Sequence, residues 1–233
     1  MTLHVSLREQ FAEVPDLAEP FSLDPAAKVR AARARRPLYP VLKRLLDLGV
    51  ALPLLILTAP LLIATALWIR LDSKGPATFR QARLGMGGKP FHILKFRTMS
   101  VIEDGENVVQ AERNDARITR AGRFLRAASI DELPQLLNVI TGEMSLVGPR
   151  PHAIAHDVLY ARLIPEYVER QAVKPGITGW AQVHGHRGGT PTVEAMRARV
   201  AHDLWYAGHA SLLIDIWVLL RTPLELIRSR NAY

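Results

Sequence analysis

The chain has 233 residues, 48% apolar and 6% aromatic, and its 30 Lys and Arg against 22 Asp and Glu give a formal charge of +8. That composition supports one domain of ordinary size plus appendages, and the charge favours anionic partners (nucleic acid, phosphorylated ligands or acidic lipid headgroups) without choosing among them. The absence of cysteine excludes disulfides, thiolate catalysis and cysteine zinc sites, and is compatible with a reducing cytosol.

Residues 1 to 36 are polar and irregular, acidic first (Glu9, Glu13, Asp16, Glu19, Asp24) and then basic (Lys28, Arg30, Arg33, Arg35, Arg36). They are expected to form a flexible charged tail, whose basic half either contacts anionic lipid or is simply solvated. The apolar run that follows comes too late for a signal peptide, and no cleavage site follows it.

Lys43, Arg44 and Asp47 stand just before that run at helical spacing, so Asp47 can pair with either cation, and a membrane-edge anchor is the reading they support. The 22 residues from Leu48 to Ile69 carry no charge and as a helix would cover ~33 Å, enough for a bilayer core. Pro53 and Pro60 break hydrogen bonds inside the run, and Pro60, near its middle, is placed to turn the second half back. Seven Lys/Arg lie from Lys28 to Arg44 and seven from Arg70 to Arg97, a symmetry that favours both ends on the cytosolic side. A straight span and a re-entrant hairpin both remain open at this point, since membrane helices tolerate proline.

Beyond the run, Phe91 to Phe96 partly alternates after Gly85-Met86-Gly87-Gly88-Lys89-Pro90, which predicts a strand following a tight turn. The glycines lack the spacing and the following helix of a nucleotide fingerprint. The remaining soluble chain reads as short helices and loops.

The run Ser129 to Pro151, S-I-D-E-L-P-Q-L-L-N-V-I-T-G-E-M-S-L-V-G-P-R-P, is the most informative segment. Pro134 must lie in or next to a first helical turn, so a helix starts at about Ser129 to Asp131. Leu133, Leu136, Leu137 and Ile140 share one face, and Gly142 supplies the stop. Asp131 and Glu132 thus sit at a helix N-terminus. Either Ser129 and Glu132 form an S-x-x-E capping box with Asp131 complementing the dipole, or the dipole keeps Asp131 ionised and favours a bound phosphate beside a carboxylate nucleophile.

Lys174 to Val183 is rich in turn residues, and its Trp180 either packs or stacks on a base. His152 and His156 are four apart, and His184 and His186 two apart; neither pair has a third ligand, which favours packing over metal binding. Leu212 to Leu220 is apolar around Asp215 and too short to span, fitting an interfacial helix or a buried core helix.

Taken together, K-R-L-L-D at Lys43 to Asp47, L-K-F-R-T-M at Leu94 to Met99, the Ser129 to Pro151 run and K-P-G-I-T-G-W-A-Q-V at Lys174 to Val183 closely resemble the bacterial sugar transferases, the monotopic phosphoglycosyl transferases, over about residues 38 to 228. The resemblance implies a mainly helical α+β monotopic membrane protein, with a re-entrant kinked helix (37–75), a compact cytosolic catalytic domain (76–209) and an interfacial C-terminal helix (210–233). It implies transfer of hexose-1-phosphate from a UDP-sugar donor to a polyprenyl phosphate acceptor, undecaprenyl phosphate, at the cytosolic face of the bacterial inner membrane, initiating exopolysaccharide or other surface glycan synthesis.

By motif position, Asp131 is then the nucleophile that displaces UMP and forms an aspartyl-phosphosugar, with Glu132 holding a metal or managing a proton. Lys95, Arg97, Arg126 and Arg150, with Arg83 a weaker choice, are the candidates for gripping the diphosphate. An oxygen-only site with few protein ligands suits Mg2+, shared by Asp131 and Glu132. Ala59-Pro60 replaces the Ser-Pro pair that commonly marks the membrane hinge in the family, putting a hydroxyl contribution there in doubt. His184 stands where asparagine is common. Gly148 to Ala153 looks most like members that use UDP-glucose or UDP-galactose. The additional N-terminal membrane helices of longer relatives have no counterpart, implying a catalytic module with a short tail. Membrane lipid is the expected surface partner, no nucleic acid is expected, and a homo-oligomer is left open.

Two rivals stand beside this reading. A membrane-anchored basic scaffold or nucleic-acid-binding protein without catalysis explains the charge but leaves the Asp-Glu pair without a reason. A single-span protein with a different phosphotransfer domain is the other.

Overall fold

The computed structural model describes residues 37–100 and 115–228. The charged tail expected over residues 1 to 36 lies outside them, as do residues 229 to 233. Helix α1 runs without interruption over Tyr39–Asp72, 34 residues with Pro53 and Pro60 inside it. Its length is ~51 Å, and it is long and apolar enough to cross a membrane. The break expected at Pro60 does not end the helix. Thr58 Oγ1 donates to the Leu54 carbonyl at 2.7 Å, so a hydroxyl serves the backbone next to Pro60 even though the preceding residue is Ala59.

The two ends of α1 dock on the same body. Near its start, Asp47 Oδ1 accepts from Ser145 Oγ at 2.9 Å and from the Leu146 N–H at 3.0 Å. At its end, Asp72 Oδ2 accepts from the Ala121 N–H at 3.2 Å, and Ile69 is buried. Between these points Ile56, Leu57 and Ile63 are at least 64% exposed, so the middle of the helix offers its leucines and isoleucines to whatever surrounds it.

A β-hairpin follows: β1 (Thr78–Leu84) pairs antiparallel with β2 (Pro90–Phe96), register Thr78 to Phe96 and Leu84 to Pro90. The strand expected at Phe91 to Phe96 is β2, and its glycine-rich approach is the hairpin turn. Then come α2 (Arg120–Ala128), a 3-10 turn at Ile130–Glu132, α3 (Gln135–Thr141), β3 (Ser145–Val147), α4 (Ile154–Leu163), a 3-10 segment at Tyr167–Ala172, β4 (Gly176–Thr178), the single turn α5 (Trp180–Val183), α6 (Val193–His209) and α7 (Leu212–Arg228). The mainly helical α+β reading holds for the described residues.

Strand β3 pairs parallel with β4 in register Ser145 to Gly176 and Val147 to Thr178. The pairing brings backbones so close that a Cβ on Gly148 would lie 2.2 Å from the Lys174 carbonyl oxygen, and one on Gly176 2.1 Å from the Gly148 nitrogen. Only glycine fits at such a crossing. This is why V-G-P-R-P and K-P-G-I-T-G, distant in sequence, belong to one substructure.

The main core joins Ala51 of α1, Phe91 and Ile93 of β2, Leu136 and Val139 of α3, Tyr206 of α6 and Val218 of α7. A smaller cluster joins Ile69 of α1 to Phe96 of β2 and Leu125 of α2. Strand β2 therefore spans two clusters, one built on each end of α1. Helix α7 buries Asp215 and Val218 while Leu213 and Leu220 are more than 70% exposed, the amphipathic pattern of a helix lying at an interface.

Candidate active site

The acidic pair sits on the 3-10 turn between α2 and α3 rather than on the first turn of one helix. Ser129 takes φ 56 and ψ 22, closing α2 as its C-cap, and makes no side-chain cap for the next element. The S-x-x-E capping box is therefore not formed; Ser129 Oγ accepts instead from Arg187 at 2.7 Å. Left-handed Ser129 reverses the chain sharply enough to turn Asp131 and Glu132 inward toward β2 and the G-P-R-P loop.

Glu132 is clamped. Arg150 donates through both terminal nitrogens, Nη1 to Oε2 at 3.0 Å and Nη2 to Oε1, and Lys95 Nζ donates to Oε1 at 2.9 Å. Burial raises the Glu132 carboxyl, but these cations and their hydrogen bonds outweigh it and hold the group well below the usual carboxylate range. Asp131 is 8% exposed and, among the described residues, its carboxylate accepts no hydrogen bond. Burial first and the Glu132 charge second push it up to about 6, against the pull of Lys95, Arg126 and Arg150. Two adjacent carboxylates thus have divergent characters: one held firmly as an anion by its cations, the other raised toward the neutral range and without a hydrogen-bond partner.

The sequence candidates separate accordingly. Lys95 and Arg150 touch Glu132 directly, and Arg126, in the last turn of α2, acts on Asp131 through its charge. Arg83 stands behind them: Nη1 reaches the Pro151 carbonyl at 3.4 Å, Nη2 donates to Gln81, and burial followed by repulsion from Arg150 lowers it to about 10. Arg97 lies elsewhere. Its guanidinium donates to the carbonyls of Ser73, Lys74 and Pro76, so it caps the end of α1 instead of joining the cations around the acidic pair.

Lys43, Arg44 and Asp47 likewise face the body of the protein, and Asp47 pairs with neither cation. Lys43 Nζ reaches Asp215 at 3.0 Å, and Arg44 donates to the Val139 and Ile140 carbonyls at the end of α3. Their role is to lock α1 onto the catalytic body.

Several residues that hold the site carried no clear sequence signal. Arg170 Nη2 donates to the Arg150 carbonyl at 2.7 Å and, with Nε, to Asp203, a pair almost fully buried. His152 sits against the Tyr167 hydroxyl at 2.6 Å, and burial followed by the charges of Arg170 and Arg199 keeps it well below the usual histidine range. It is a neutral part of the floor under Arg150, not half of a metal pair, and among the described residues no group of three or more His, Asp or Glu is disposed to hold a metal ion. Trp180 stacks on Trp205 with centroids 4.2 Å apart and contacts His184 at the same distance, which is the packing role. Arg199 and Asp203 stand four residues apart on α6, a helical spacing, but nothing in it points to Arg170, the partner that Asp203 takes.

A family model described as bacterial sugar transferase matches residues 38–229. Over 218 residues the chain is 55% identical to UDP-glucose:undecaprenyl-phosphate glucose-1-phosphate transferase of Caulobacter vibrioides, covering 92% of this chain and 82% of that protein. A protein of the same name from Escherichia coli is 49% identical over 193 residues, 83% of this chain and 42% of its own length. An exopolysaccharide production protein of Rhizobium leguminosarum bv. phaseoli is 47% identical over 196 residues, 82% of this chain and 98% of its own. The chain thus spans nearly the whole of some relatives and less than half of others.

Proposed function

The chain belongs to the bacterial sugar transferase family, and on that premise we propose that it transfers glucose-1-phosphate from UDP-glucose to undecaprenyl phosphate at the cytosolic face of the inner membrane. The observation that carries this reading is the pairing of an unbonded, buried Asp131 with a Glu132 neutralised by Arg150 and Lys95. Phosphoryl transfer requires an in-line nucleophile and cations for the phosphate oxygens, and little else. Relatives bearing the UDP-glucose name support glucose as the sugar.

An oxygen of Asp131 attacks the β-phosphorus of the donor, and the bond to the bridging oxygen breaks, releasing UMP and leaving an acyl-phosphate sugar. An oxygen of the lipid phosphate then attacks the same phosphorus, the Asp131 oxygen leaves, and the lipid diphosphate sugar is formed with the carboxylate restored. Arg150 and Lys95 hold Glu132 and face the transferring group; Arg126 adds positive potential on the Asp131 side. A pKa of about 6 leaves Asp131 mostly ionised at neutral pH and more nucleophilic than an ordinary aspartate.

Mg2+ fits in part. Asp131 is an available oxygen ligand, and such a site is completed by water and donor phosphates. Both oxygens of Glu132 are already engaged by cations, so the ion is assigned to Asp131 and not to the pair. When bound it would neutralise the donor diphosphate.

We read α1 as a re-entrant element in the lipid; the fastening of both of its ends to one body supports that reading. A straight span would have to carry one of those ends to the opposite side. The whole reading is tested by intact mass after UDP-glucose and Mg2+ without lipid acceptor: a hexose-phosphate adduct on the wild type and none on Asp131→Asn is the expected result, and turnover with no adduct overturns the covalent step.

A further inference from the structure

A cleft of about 220 Å³ opens between α1 and α7, walled by Val50 and Leu54 on one side and by Ile177 and Leu219 on the other. It is bordered by Ser129, Glu132 and Arg187, so it reaches Glu132, the neighbour of Asp131. Arg187 is tied to this border through its hydrogen bond to Ser129. Gln182 also lines the cleft; it is 6% exposed, and its Oε1 has no hydrogen-bond partner.

The lining identifies the chemistry of the occupant. Val50 and Leu54 come from α1 and Leu219 and Leu226 from α7, the two helices whose other faces expose leucines such as Leu57 and Leu213, while Leu136, Leu146 and Ile177 of the body close the cleft between them. The cleft therefore joins a carboxylate site to the surface assigned to lipid. A ligand that follows it is apolar along most of its length and polar at the end where Arg187, Glu132 and Glu225 stand, with Arg187 the cation there for an anionic headgroup. A nucleotide sugar fits it less well, since the cleft is smaller than the roughly 300–1,000 Å³ of ordinary small-molecule sites and is walled mainly by aliphatic side chains.

Resting on the function proposed above, we propose that this cleft seats the first isoprene units of the lipid-phosphate acceptor, with Arg187 contacting its phosphate. A buried acceptor atom on Gln182 would be satisfied by a water or a protonated phosphate oxygen entering with that headgroup. The donor diphosphate keeps the cations on β2 and the G-P-R-P loop, and the acceptor enters along the membrane helices.

The test uses the full chain in nanodiscs with UDP-glucose, Mg2+ and undecaprenyl phosphate. Val50→Trp and Leu219→Trp, each filling the cleft from one wall, are compared with wild type for KM of the acceptor and for exchange of labelled UMP into UDP-glucose without acceptor. Excluding a few buried methylene-sized groups is expected to raise the acceptor KM about tenfold or more, while exchange stays within about twofold of wild type. Unchanged acceptor KM in variants that still exchange UMP overturns the inference. Wild-type protein supplies a check independent of variant folding: a four-unit isoprenyl phosphate should match the long acceptor, and a one-unit phosphate should be much poorer. Equal KM for both overturns the cleft assignment. Wild type that neither exchanges UMP nor turns over lipid phosphate overturns the underlying function, a distinct result from failure of the cleft alone.

Discussion

Lys43 and Asp215 stand 172 positions apart in sequence and 3.0 Å apart in space, the cation 14% exposed and the carboxylate fully buried. Tyr39 and Tyr206 also donate to Asp215, at 2.9 and 2.6 Å. Removing one member of such a group strands the others without solvent. Asp215→Ala is expected to destabilise the protein by roughly 3–5 kcal/mol, and Asp215→Asn, which keeps an acceptor for the tyrosines, by clearly less. Thermal unfolding in a fixed detergent measures the difference; melting of both variants at the wild-type temperature would remove Asp215 from the account of how α1 is held.

Asp131 links catalysis to pH. Its folded pKa of about 6 exceeds the ordinary aspartate value of 3.8, so the native state takes up a proton before the unfolded chain does. Its stabilising contribution is full below about pH 4 and lost as pH rises through 6, leaving a cost of roughly 3 kcal/mol at neutral pH. Asp131→Asn is accordingly expected to be inactive yet to melt higher than wild type at pH 7.5, with the gap closing toward pH 4. The rate of adduct formation should fall on the acid side with a midpoint near 6, and a midpoint near 4 would show that Asp131 is not perturbed.

The arginines of the two motifs should respond differently. Arg150→Lys loses the two-pronged grip on Glu132 and is expected to lower turnover by about 10²-fold with modest effect on melting. Arg97→Lys removes several hydrogen bonds from the carbonyls that end α1. It should melt lower while the donor KM of the folded fraction stays near wild type. Steady-state kinetics beside thermal melts distinguishes them.

Gly148 has no room for a methyl group against Lys174. Gly148→Ala is expected to displace the strand pair and with it Arg150, lowering both melting temperature and turnover. Gly208→Ala, in α6 with open space around its Cβ position, is expected to be neutral or stabilising by up to ~1 kcal/mol.

Local chemistry made parts of this architecture legible. Pro134 and Gly142 bracket a helix that runs over Gln135–Thr141, with Gly142 at φ 88 as its cap. The alternation after the glycine turn marked β2, and the motif set located the acidic pair. Strand β1 was not read because Arg80 and Arg83 obscure its pattern. The Ser129-x-x-Glu132 spacing alone left a cap and a site both open, and tertiary contacts from Lys95 and Arg150, which no local pattern shows, take Glu132 away from the backbone. Lys43, Arg44, Asp47 and Arg97 were all placed by partners in other elements, and no helical spacing foretells those.

Because Asp47 and Asp72 are fastened to one body and β2 carries a cluster against each end of α1, this helix is not an exchangeable tether. Replacing it with another hydrophobic segment, or trimming it to obtain a water-soluble enzyme, would remove a wall of the protein interior together with the hook that reaches the membrane. The body is incomplete until that helix has docked, so the segment that reaches the bilayer is also a part of the core on which the active site rests.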